Sequence, residues 1–217
     1  MPLAKRLRQI FVELQIETVI DVGANEGQYR NFLRSEVGFA GKIESFEPLP
    51  RLAEQLRLKA ITDPHWSVHA RALGAAPGEL TLNVMSSTDF SSFLNPLHRQ
   101  NDDPHYNEVI GSVVVPVSTI DAEFGGRPDL ARTYLKLDTQ GYDLEVLRGA
   151  ERIIRTIPAL QTEVSFIPIY GGMPDYKEAL STLERHGFQV ADFFLVSKDQ
   201  ANRAIEFDCI MVNVPKP

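Results

Sequence analysis

Apolar residues recur along this chain in two spacings, every second residue in short runs and every three to four residues in longer ones. The first spacing is typical of β-strands and the second of helices that bury one face. Segments rich in Gly, Pro, Asn, Asp and Ser separate the runs and favour turns. Strands are predicted at residues 18–22, 42–47, 66–73, 79–85, 113–117, 133–138, 159–164, 188–196 and 205–213, and helices at 2–14, 28–33, 51–60, 142–154 and 174–186, with a short helical turn after 118–121.

The order of these elements predicts the topology. Strands alternate with helices along most of the chain, which favours a parallel α/β sheet. Only residues 197–203 separate the last two strands, and this connection is too short for a helical crossover. We therefore expect a mostly parallel sheet that ends in an antiparallel C-terminal hairpin. The least regular stretch, 86–111, has the length of a functional loop.

The turn after the first strand contains Gly23 and Gly27 and leads into a helix, a common cofactor position in open α/β sheets. A dinucleotide fingerprint beginning at Gly23 requires glycines at positions 25 and 28, where this chain has Asn25 and Gln28. The missing middle glycine disfavours a close approach of the backbone to a pyrophosphate. An NAD-dependent oxidoreductase is therefore the less favoured enzyme class.

Carboxylates near the turn point to a cationic nucleoside cofactor. Asp21 and Glu26 flank the turn, where they repel a phosphate and suit the ammonium and sulfonium of S-adenosylmethionine (SAM). Glu47 ends the second strand twenty residues after Gly27, a spacing at which a carboxylate takes ribose hydroxyls. The turn and Glu47 together favour a nucleoside cofactor, bound either by an enzyme or by a non-catalytic nucleoside-binding module.

Two further acids, Asp138 and Glu163, stand at or near the carboxyl ends of the strands predicted at 133–138 and 159–164. If those strands are neighbours, the two carboxylates lie about 5 Å apart. Carboxylates that close repel, so that one takes a proton or a cation lies between them. The pair is a candidate general base for a hydroxyl, or a site for a hard divalent cation such as Mg²⁺. Hydrogen bonding to loop amides is the purely structural alternative.

Composition limits the class of protein. The chain has 217 residues, 43% of them hydrophobic, and these totals predict a single domain over 1–217. A net charge of −7 argues against a nucleic-acid partner. With neither a signal peptide nor a membrane span predicted, we expect a cytoplasmic protein. The single cysteine, Cys209, lies in an apolar run and is expected in the core. Apolar residues near the closing hairpin favour self-association as a homodimer.

Several motifs resemble one family, the FkbM family of SAM-dependent methyltransferases. They are D-V-G-A-N-E-G at 21–27, F-E-P at 46–48, A-L-G at 72–74, S-S-F-L at 91–94 and L-K-L-D-T-Q-G-Y-D at 135–143, continued at 146–150. The resemblance runs from about residue 18 to 188. It implies the Rossmann-like class I methyltransferase fold and O-methylation, commonly of a sugar or polyketide hydroxyl.

The resemblance also implies roles for particular residues. Glu47 would hold the SAM ribose, Ala72 would lie near the adenine, and Asp138 would face the transferred methyl group. This chain has Gln140 where many members carry an acid, and Asp143 where they carry Glu. The methionine end of SAM would be held by Asp21, Gly23, Ala24, Asn25 and Gly27.

The expected acceptor is a saccharide or a glycosylated small molecule. The stretch after Glu163 is similar to family members that act on sugars. Aromatic faces stack well on sugar rings, which makes the nearby tyrosines candidate acceptor contacts. Candidates for the base are Asp138, Glu163, and a histidine of the long loop, His98 or His105. Candidate acceptor-binding residues are Ser91, Ser92, Tyr106, Tyr142 and Tyr170.

Overall fold

The structure, a computed structural model, describes residues 2–97 and 108–213. Its helices are Leu3–Glu13 (α1), Gln28–Phe32 (α2), Pro50–Ala60 (α3), Ile120–Phe124 (α4), Asp143–Arg148 (α5) and Tyr176–Arg185 (α6). Its strands are Thr18–Val22 (β1), Lys42–Phe46 (β2), Trp66–His69 (β3), Ala72–Leu73 (β4), Gly78–Met85 (β5), Val109–Ser118 (β6), Thr133–Leu137 (β7), Ala159–Ser165 (β8), Phe188–Lys198 (β9) and Ala204–Asn213 (β10).

Seven strands form the main sheet in the order β3-β2-β1-β7-β8-β10-β9. The five strands from β3 to β8 are parallel, whereas β10 runs antiparallel to both β8 and β9. This arrangement confirms the predicted fold class, a mostly parallel sheet closed by an antiparallel hairpin. Because β7 and β8 are neighbours, the acids that follow or end them meet at one edge of the sheet.

The two faces of the main sheet differ in character. One face is apolar and packs beneath α4, α5 and α6, with Ile20, Leu135 and Cys209 fully buried. The opposite face packs against α1 and the segment containing α2, and near the carboxyl ends of its strands it carries polar side chains. Adjacent strands hold these polar positions in register, with Asp21 beside Lys136 and Lys136 beside Gln161. The register therefore gathers polar groups on one face, under the edge where ligands bind in such sheets.

A second sheet of three strands, in the order β4-β6-β5, stands beside the first. The strand predicted at 66–73 is divided between the sheets, because a turn at residues 70–71 separates β3 from β4. The prediction of one continuous strand was therefore wrong. The two-residue strand β4 leads directly to Gly74, where an added Cβ would contact Val117 and Tyr142. The small sheet is thereby held close to the start of α5.

Two predicted helices are shorter than expected. The helix predicted at 142–154 ends at Arg148 because the chain turns at Gly149, where a Cβ would lie 2.0 Å from the Gly74 carbonyl oxygen. The helix predicted at 174–186 begins at Tyr176, since the Asp175 carboxylate caps its first turn by accepting two backbone N–H groups. Both differences are at helix ends and leave the buried faces as predicted.

The edge strand β9 exposes apolar side chains, with Val190, Phe193, Leu195 and Val196 each 39–48% exposed. An exposed apolar edge is a feature of interaction surfaces. The homodimer nevertheless stays a prediction, as does the single domain over 1–217. In the part of the chain that the structure describes, no helix combines the length and apolar character needed to cross a bilayer.

Candidate active site

The glycine turn after β1 is packed against the ends of both neighbouring strands. The N–H groups of Gly23 and Ala24 donate to the Phe46 carbonyl at 3.0 and 3.1 Å. Gly23 has φ +86°, and a Cβ there would lie 1.9 Å from the Asp138 carbonyl oxygen. Glycine is required at this position for two reasons, the left-handed backbone and the absence of space. The turn is consequently fixed between β2 and β7.

The second glycine of the turn, Gly27, starts α2 with φ +86°. A Cβ there would contact the side chains of Leu56 and Trp66 at 3.0 and 3.3 Å. The helix is held on the other side by Asp63, which accepts hydrogen bonds from Arg30 and Arg34. Gly27 therefore shapes the turn from behind and does not line the cavity described next.

A cavity of about 380 Å³ lies above the polar face of the main sheet, at the carboxyl ends of β1, β2, β7 and β8. This volume is in the range of small-molecule sites. The walls near the small sheet are largely apolar and include Leu49, Leu73, Leu82 and Phe93. The residues predicted for the site that line this cavity are Gly23, Ala24, Asn25, Glu47, Ala72, Ser91, Asp138 and Glu163.

Glu47 faces the cavity but is only 4% exposed. Its carboxylate is oriented by the backbone, because Oε2 accepts the Asn25 N–H at 2.7 Å and Oε1 accepts the Leu49 N–H at 2.8 Å. Burial raises the pKa of Glu47 from 4.5 to about 7, and the two backbone hydrogen bonds limit that rise. Each carboxylate oxygen keeps lone-pair capacity for a donor from a ligand.

A buried ammonium lies at the floor of the cavity. Lys136 Nζ is 2.9 Å from Asp138 Oδ2 and 3.7 Å from Asp21 Oδ1, and it lies 5.0 Å from the centre of the Tyr29 ring. Burial favours the neutral amine, but the Asp138 and Asp21 carboxylates outweigh it and raise the pKa of Lys136. The same ammonium counters the effect of burial on Asp138 and holds the pKa of that carboxyl below its ordinary value. Lys136 and Asp138 thus form an ion pair.

Asp138 and Glu163 are joined by one amide. Gln140 Nε2 donates to Asp138 Oδ1 at 3.0 Å and to Glu163 Oε2 at 3.1 Å. Burial, and then the nearby charge of Asp138, raise the pKa of Glu163 well above its ordinary value. Burial and charge thus favour the ionised form of Asp138 and the protonated form of Glu163. The two carboxyl groups lie together, as their positions after neighbouring strands predict.

Gln140 is held in an unusual conformation, with φ +52°. Its side-chain oxygen accepts the Tyr170 hydroxyl at 3.0 Å, and its backbone oxygen accepts the Ser92 hydroxyl at 2.8 Å. Left-handed backbone at a non-glycine residue is uncommon and is maintained here by hydrogen bonds from two loops. Ser92 and Tyr170 are therefore brought to the site through Gln140.

Five residues predicted for the site do not line the cavity. Asp21 is fully buried behind its wall, where one carboxylate oxygen accepts the Ser45 hydroxyl and the other has no hydrogen-bond partner among the described residues. Tyr142 packs on Phe93, with ring centres 4.9 Å apart. Their direct contact with a ligand stays a prediction, and the same holds for the three others, Gly27, Ser92 and Tyr170. His98, His105 and Tyr106 lie outside the described residues.

The sequence interpretation missed several polar residues of the cavity. Lys136, Gln161 and Asp208 all line it, and each lies within a strand that is otherwise mostly apolar. Tyr29 and Gln161 are linked by a 2.9 Å hydrogen bond. A polar side chain in the middle of a buried strand was the available signal, since such groups require a partner or a ligand.

The pair of carboxyls does not match the requirements of a resident divalent cation. Within residues 2–97 and 108–213, no group of three or more His, Cys, Asp or Glu side chains is placed to hold a metal ion. Asp138 is instead neutralised by Lys136, and the Gln140 amide bridges it to Glu163. The expectation of Mg²⁺ at Asp138 and Glu163 therefore receives no support from the donor set.

The sheet order, its reversed C-terminal strands and the cavity at the carboxyl edge define a class I methyltransferase-like α/β protein. Comparison with known families identifies the Methyltransferase FkbM domain over residues 21–190. The match covers most of the chain, and the protein belongs to the FkbM methyltransferase family. This result confirms the resemblance carried by its motifs.

Solved structures show the same fold. Methyltransferase FkbM from Methylobacillus flagellatus KT is 16% identical with a TM-score of 0.54 and covers 91% of this chain, which spans only 43% of the length of that one. Magnesium protoporphyrin IX methyltransferase (ChlM) from Synechocystis PCC 6803, solved with bound SAM, is 9% identical with a TM-score of 0.51. That similarity covers 97% of this chain and 78% of the other. No curated protein matches significantly.

Proposed function

We propose that this protein transfers a methyl group from SAM to a hydroxyl of a saccharide or glycosylated small molecule. One observation carries the proposal. A single cavity is lined both by the glycine turn with Glu47 and by the Asp138–Glu163 pair, so that a nucleoside site and a proton acceptor share one space. A module that only binds a nucleoside has no need of the second group.

The residues of the cavity fit SAM. Gly23 and Asn25 bring backbone to the ligand at the end of β1, and the oriented Glu47 carboxylate offers acceptors for two ribose hydroxyls. The apolar wall of Leu49, Ala72 and neighbouring residues suits an adenine ring. When bound, SAM supplies a methyl group already activated by a sulfonium.

The remaining requirement is to position a hydroxyl and remove its proton. Ionised Asp138 faces the cavity with its side chain 30% exposed. It would accept the hydroxyl proton as the methyl group passes from the sulfonium sulfur, whose S–C bond breaks, to the acceptor oxygen. Lys136 keeps Asp138 ionised before the reaction. The raised pKa of Glu163 favours its neutral form beside Asp138, so that the pair carries one negative charge before the reaction. Gln140 holds the two carboxyls in place.

Calorimetry with SAM and with NAD tests the cofactor class. We expect micromolar binding of SAM, of the order typical for enzyme cofactors, and no binding of NAD. Binding of NAD without SAM would remove the methyltransferase proposal in favour of the oxidoreductase. If SAM binds but no acceptor panel yields S-adenosylhomocysteine, the non-catalytic nucleoside-binding module is the better description.

Replacing Asp138 by Ala tests the chemistry separately. Full methyl transfer by this variant would remove Asp138 from the reaction.

Unchanged activity after chelation and dialysis is the result expected for a reaction without a metal. A small-molecule acceptor, rather than a nucleic acid, is the partner that the net charge of −7 favours. Cytoplasmic location and homodimerisation stay predictions, which fractionation and sedimentation would test.

A further inference from the structure

The cavity extends past the Asp138–Glu163 pair to a second polar pair. Gln161 on β8 and Asp208 on β10 line this far end, and Leu3, Phe32 and Val196 form an apolar rim. Gln161, Asp208 and Val196 belong to β8, β10 and β9, which lie on the opposite side of β7 from β1 and β2. The far end is therefore a separate subsite of the same cavity.

Hydrogen bonds set the orientation of the Gln161 amide. Its Oε1 accepts the Tyr29 hydroxyl at 2.9 Å and the Tyr134 hydroxyl at 3.5 Å, while its Nε2 donates to Asp208 Oδ1 at 2.9 Å. Asp208 Oδ2 receives no hydrogen bond from the part of the chain that the structure describes. The pair thus presents one acceptor oxygen to the cavity, held at a fixed position by a buried amide.

Asp208 is close to the proposed site of proton transfer. It is the cross-strand partner of Glu163 in the antiparallel pairing of β10 with β8. Side chains of such partners lie about 5 Å apart at Cβ. Asp138 follows β7, one strand beyond β8, and so lies about two strand spacings, roughly 10 Å, from Asp208. Hydroxyls on opposite sides of one sugar ring can reach both carboxyls across this distance.

Charge limits what this subsite accepts. Among the described residues that line the cavity, the acids are Glu47, Asp89, Asp138, Glu163 and Asp208, and the only Lys or Arg is Lys136. Lys136 is already paired with Asp138 and Asp21. A phosphate or carboxylate on the acceptor would lose its hydration here without gaining a counter-charge.

We infer that Gln161 and Asp208 form the acceptor subsite, and that the acceptor is a neutral or amino-bearing polyol without phosphate, sulfate or carboxylate groups. The inference rests on the proposed function and narrows its substrate class. Asp208 Oδ2 accepts a hydrogen bond from a hydroxyl or ammonium on the side of the ring opposite the methylated hydroxyl. The apolar rim contacts the C–H face of the ring or an alkyl substituent.

Saturation-transfer NMR on the full chain with S-adenosylhomocysteine tests the subsite without requiring the natural acceptor. The probes are methyl glucoside, methyl rhamnoside and glucosamine, with glucuronic acid and glucose 6-phosphate as anionic counterparts. We expect transfer to the neutral and amino sugars and at least a tenfold weaker signal for the anions. Asp208→Asn should weaken binding of the neutral and amino sugars about tenfold. It should also reduce the protein's selectivity for these sugars over the anionic ones. Asp199→Asn, in the β9–β10 turn outside the cavity, is the matched control.

The possible failures are distinct. Transfer to glucose 6-phosphate or glucuronic acid equal to that of the neutral sugars would overturn the inference, and so would an unchanged neutral-to-anion ratio in Asp208→Asn. Absence of transfer to every neutral and amino sugar would overturn it as well. All of these leave the methyltransferase proposal standing if calorimetry shows SAM binding. Lack of SAM binding refutes the proposed function itself.

Discussion

Lys136 Nζ lies 2.9 Å from Asp138 Oδ2; Lys136 is on β7, and Asp138 directly follows the last residue of that strand. Side chains two residues apart in extended backbone project to the same face of a sheet. The lysine therefore supplies the counter-charge to the proposed base from the strand that leads into it. Their interaction gives a direct test of whether the site depends on a buried ion pair.

Removing the Lys136 ammonium should destabilise the fold. Lys136→Met leaves Asp21 and Asp138 without a counter-charge, and loss of one partner from a buried ion pair typically costs about 3–5 kcal/mol. Urea unfolding measures this change. The double variant Lys136→Met, Asp21→Asn should recover part of the loss, because it removes one of the two unpaired acids. Lys42→Met, at an exposed position, is the control; equal losses in the two single variants would contradict the prediction.

The two carboxyls should respond differently to neutral substitution. Because the raised pKa of Glu163 favours its neutral form, Glu163→Gln keeps a neutral side chain of similar shape, and we expect less than about a tenfold loss of kcat. Asp138→Asn removes the ionised acceptor and should lower kcat by about 100-fold or more. Initial rates of S-adenosylhomocysteine release provide the measurement. If Glu163→Gln proves as damaging as Asp138→Asn, the assignment of the proton to Glu163 is wrong.

SAM affinity should depend on pH through Glu47. Ribose hydroxyls donate to the ionised carboxylate, whereas burial raises its pKa to about 7, so binding at lower pH releases a proton. The association constant should rise about tenfold per pH unit below pH 7 and level off above it. Calorimetry in buffers of different ionisation enthalpy counts the proton. Glu47→Gln should abolish this dependence, whereas the exposed Glu54→Gln should retain it.

The same carboxyl predicts a trend in the stability of the ligand-free protein. A pKa raised on folding means that the folded state binds the proton more tightly than the unfolded state. The contribution of Glu47 to the free energy of unfolding is therefore greatest below its ordinary pKa of 4.5. That contribution is lost as the pH rises through about 7. The slope is about 1.4 kcal/mol per pH unit within that window. Thermal unfolding of Glu47→Gln, measured over the same pH range, should lack this loss of stability. An equal dependence of stability on pH in the wild type and the variant would contradict the prediction.

The glycine turn should not tolerate a methyl group at its first glycine. Gly23→Ala places Cβ 1.9 Å from the Asp138 carbonyl oxygen in a left-handed backbone, so the turn and β7 must separate. We expect loss of SAM binding and a fall in stability of about 3 kcal/mol or more. Gly78→Ala is the matched control, because nothing lies within 4 Å of its added Cβ. SAM binding by Gly23→Ala at wild-type affinity would refute this account of the turn.

Much of the fold was predictable because its strands are short apolar runs with clear turns between them. The adjacency of Asp138 and Glu163 followed from neighbouring parallel strands, and the antiparallel hairpin followed from a short connection. The prediction of one continuous strand at 66–73 was wrong, because the alternation of apolar and polar side chains does not reveal where a chain leaves one sheet for another. That choice depends on pairing with β6, whose partners lie far along the sequence.

The candidate site was predicted less completely, for a related reason. The strand-end acids were visible as acids after apolar runs, whereas Lys136 and Gln161 lie within such runs and became site residues only through the register of β7 with β8. Tyr170 faces Gln140 because a loop folds over the sheet, and loop geometry has no periodic signal. Local patterns predict elements, but the cavity is formed by contacts between distant elements.

Cys209 provides a built-in reporter of sheet opening. It is the only cysteine among the 217 residues, and it is fully buried on β10, where burial raises the pKa of its thiol to about 12. A thiol reagent can react with it only after β10 loses its packing on the apolar face. The rate of labelling therefore measures opening of the closing hairpin without any engineered label, and a bound acceptor on the opposite face of the same strand should slow it.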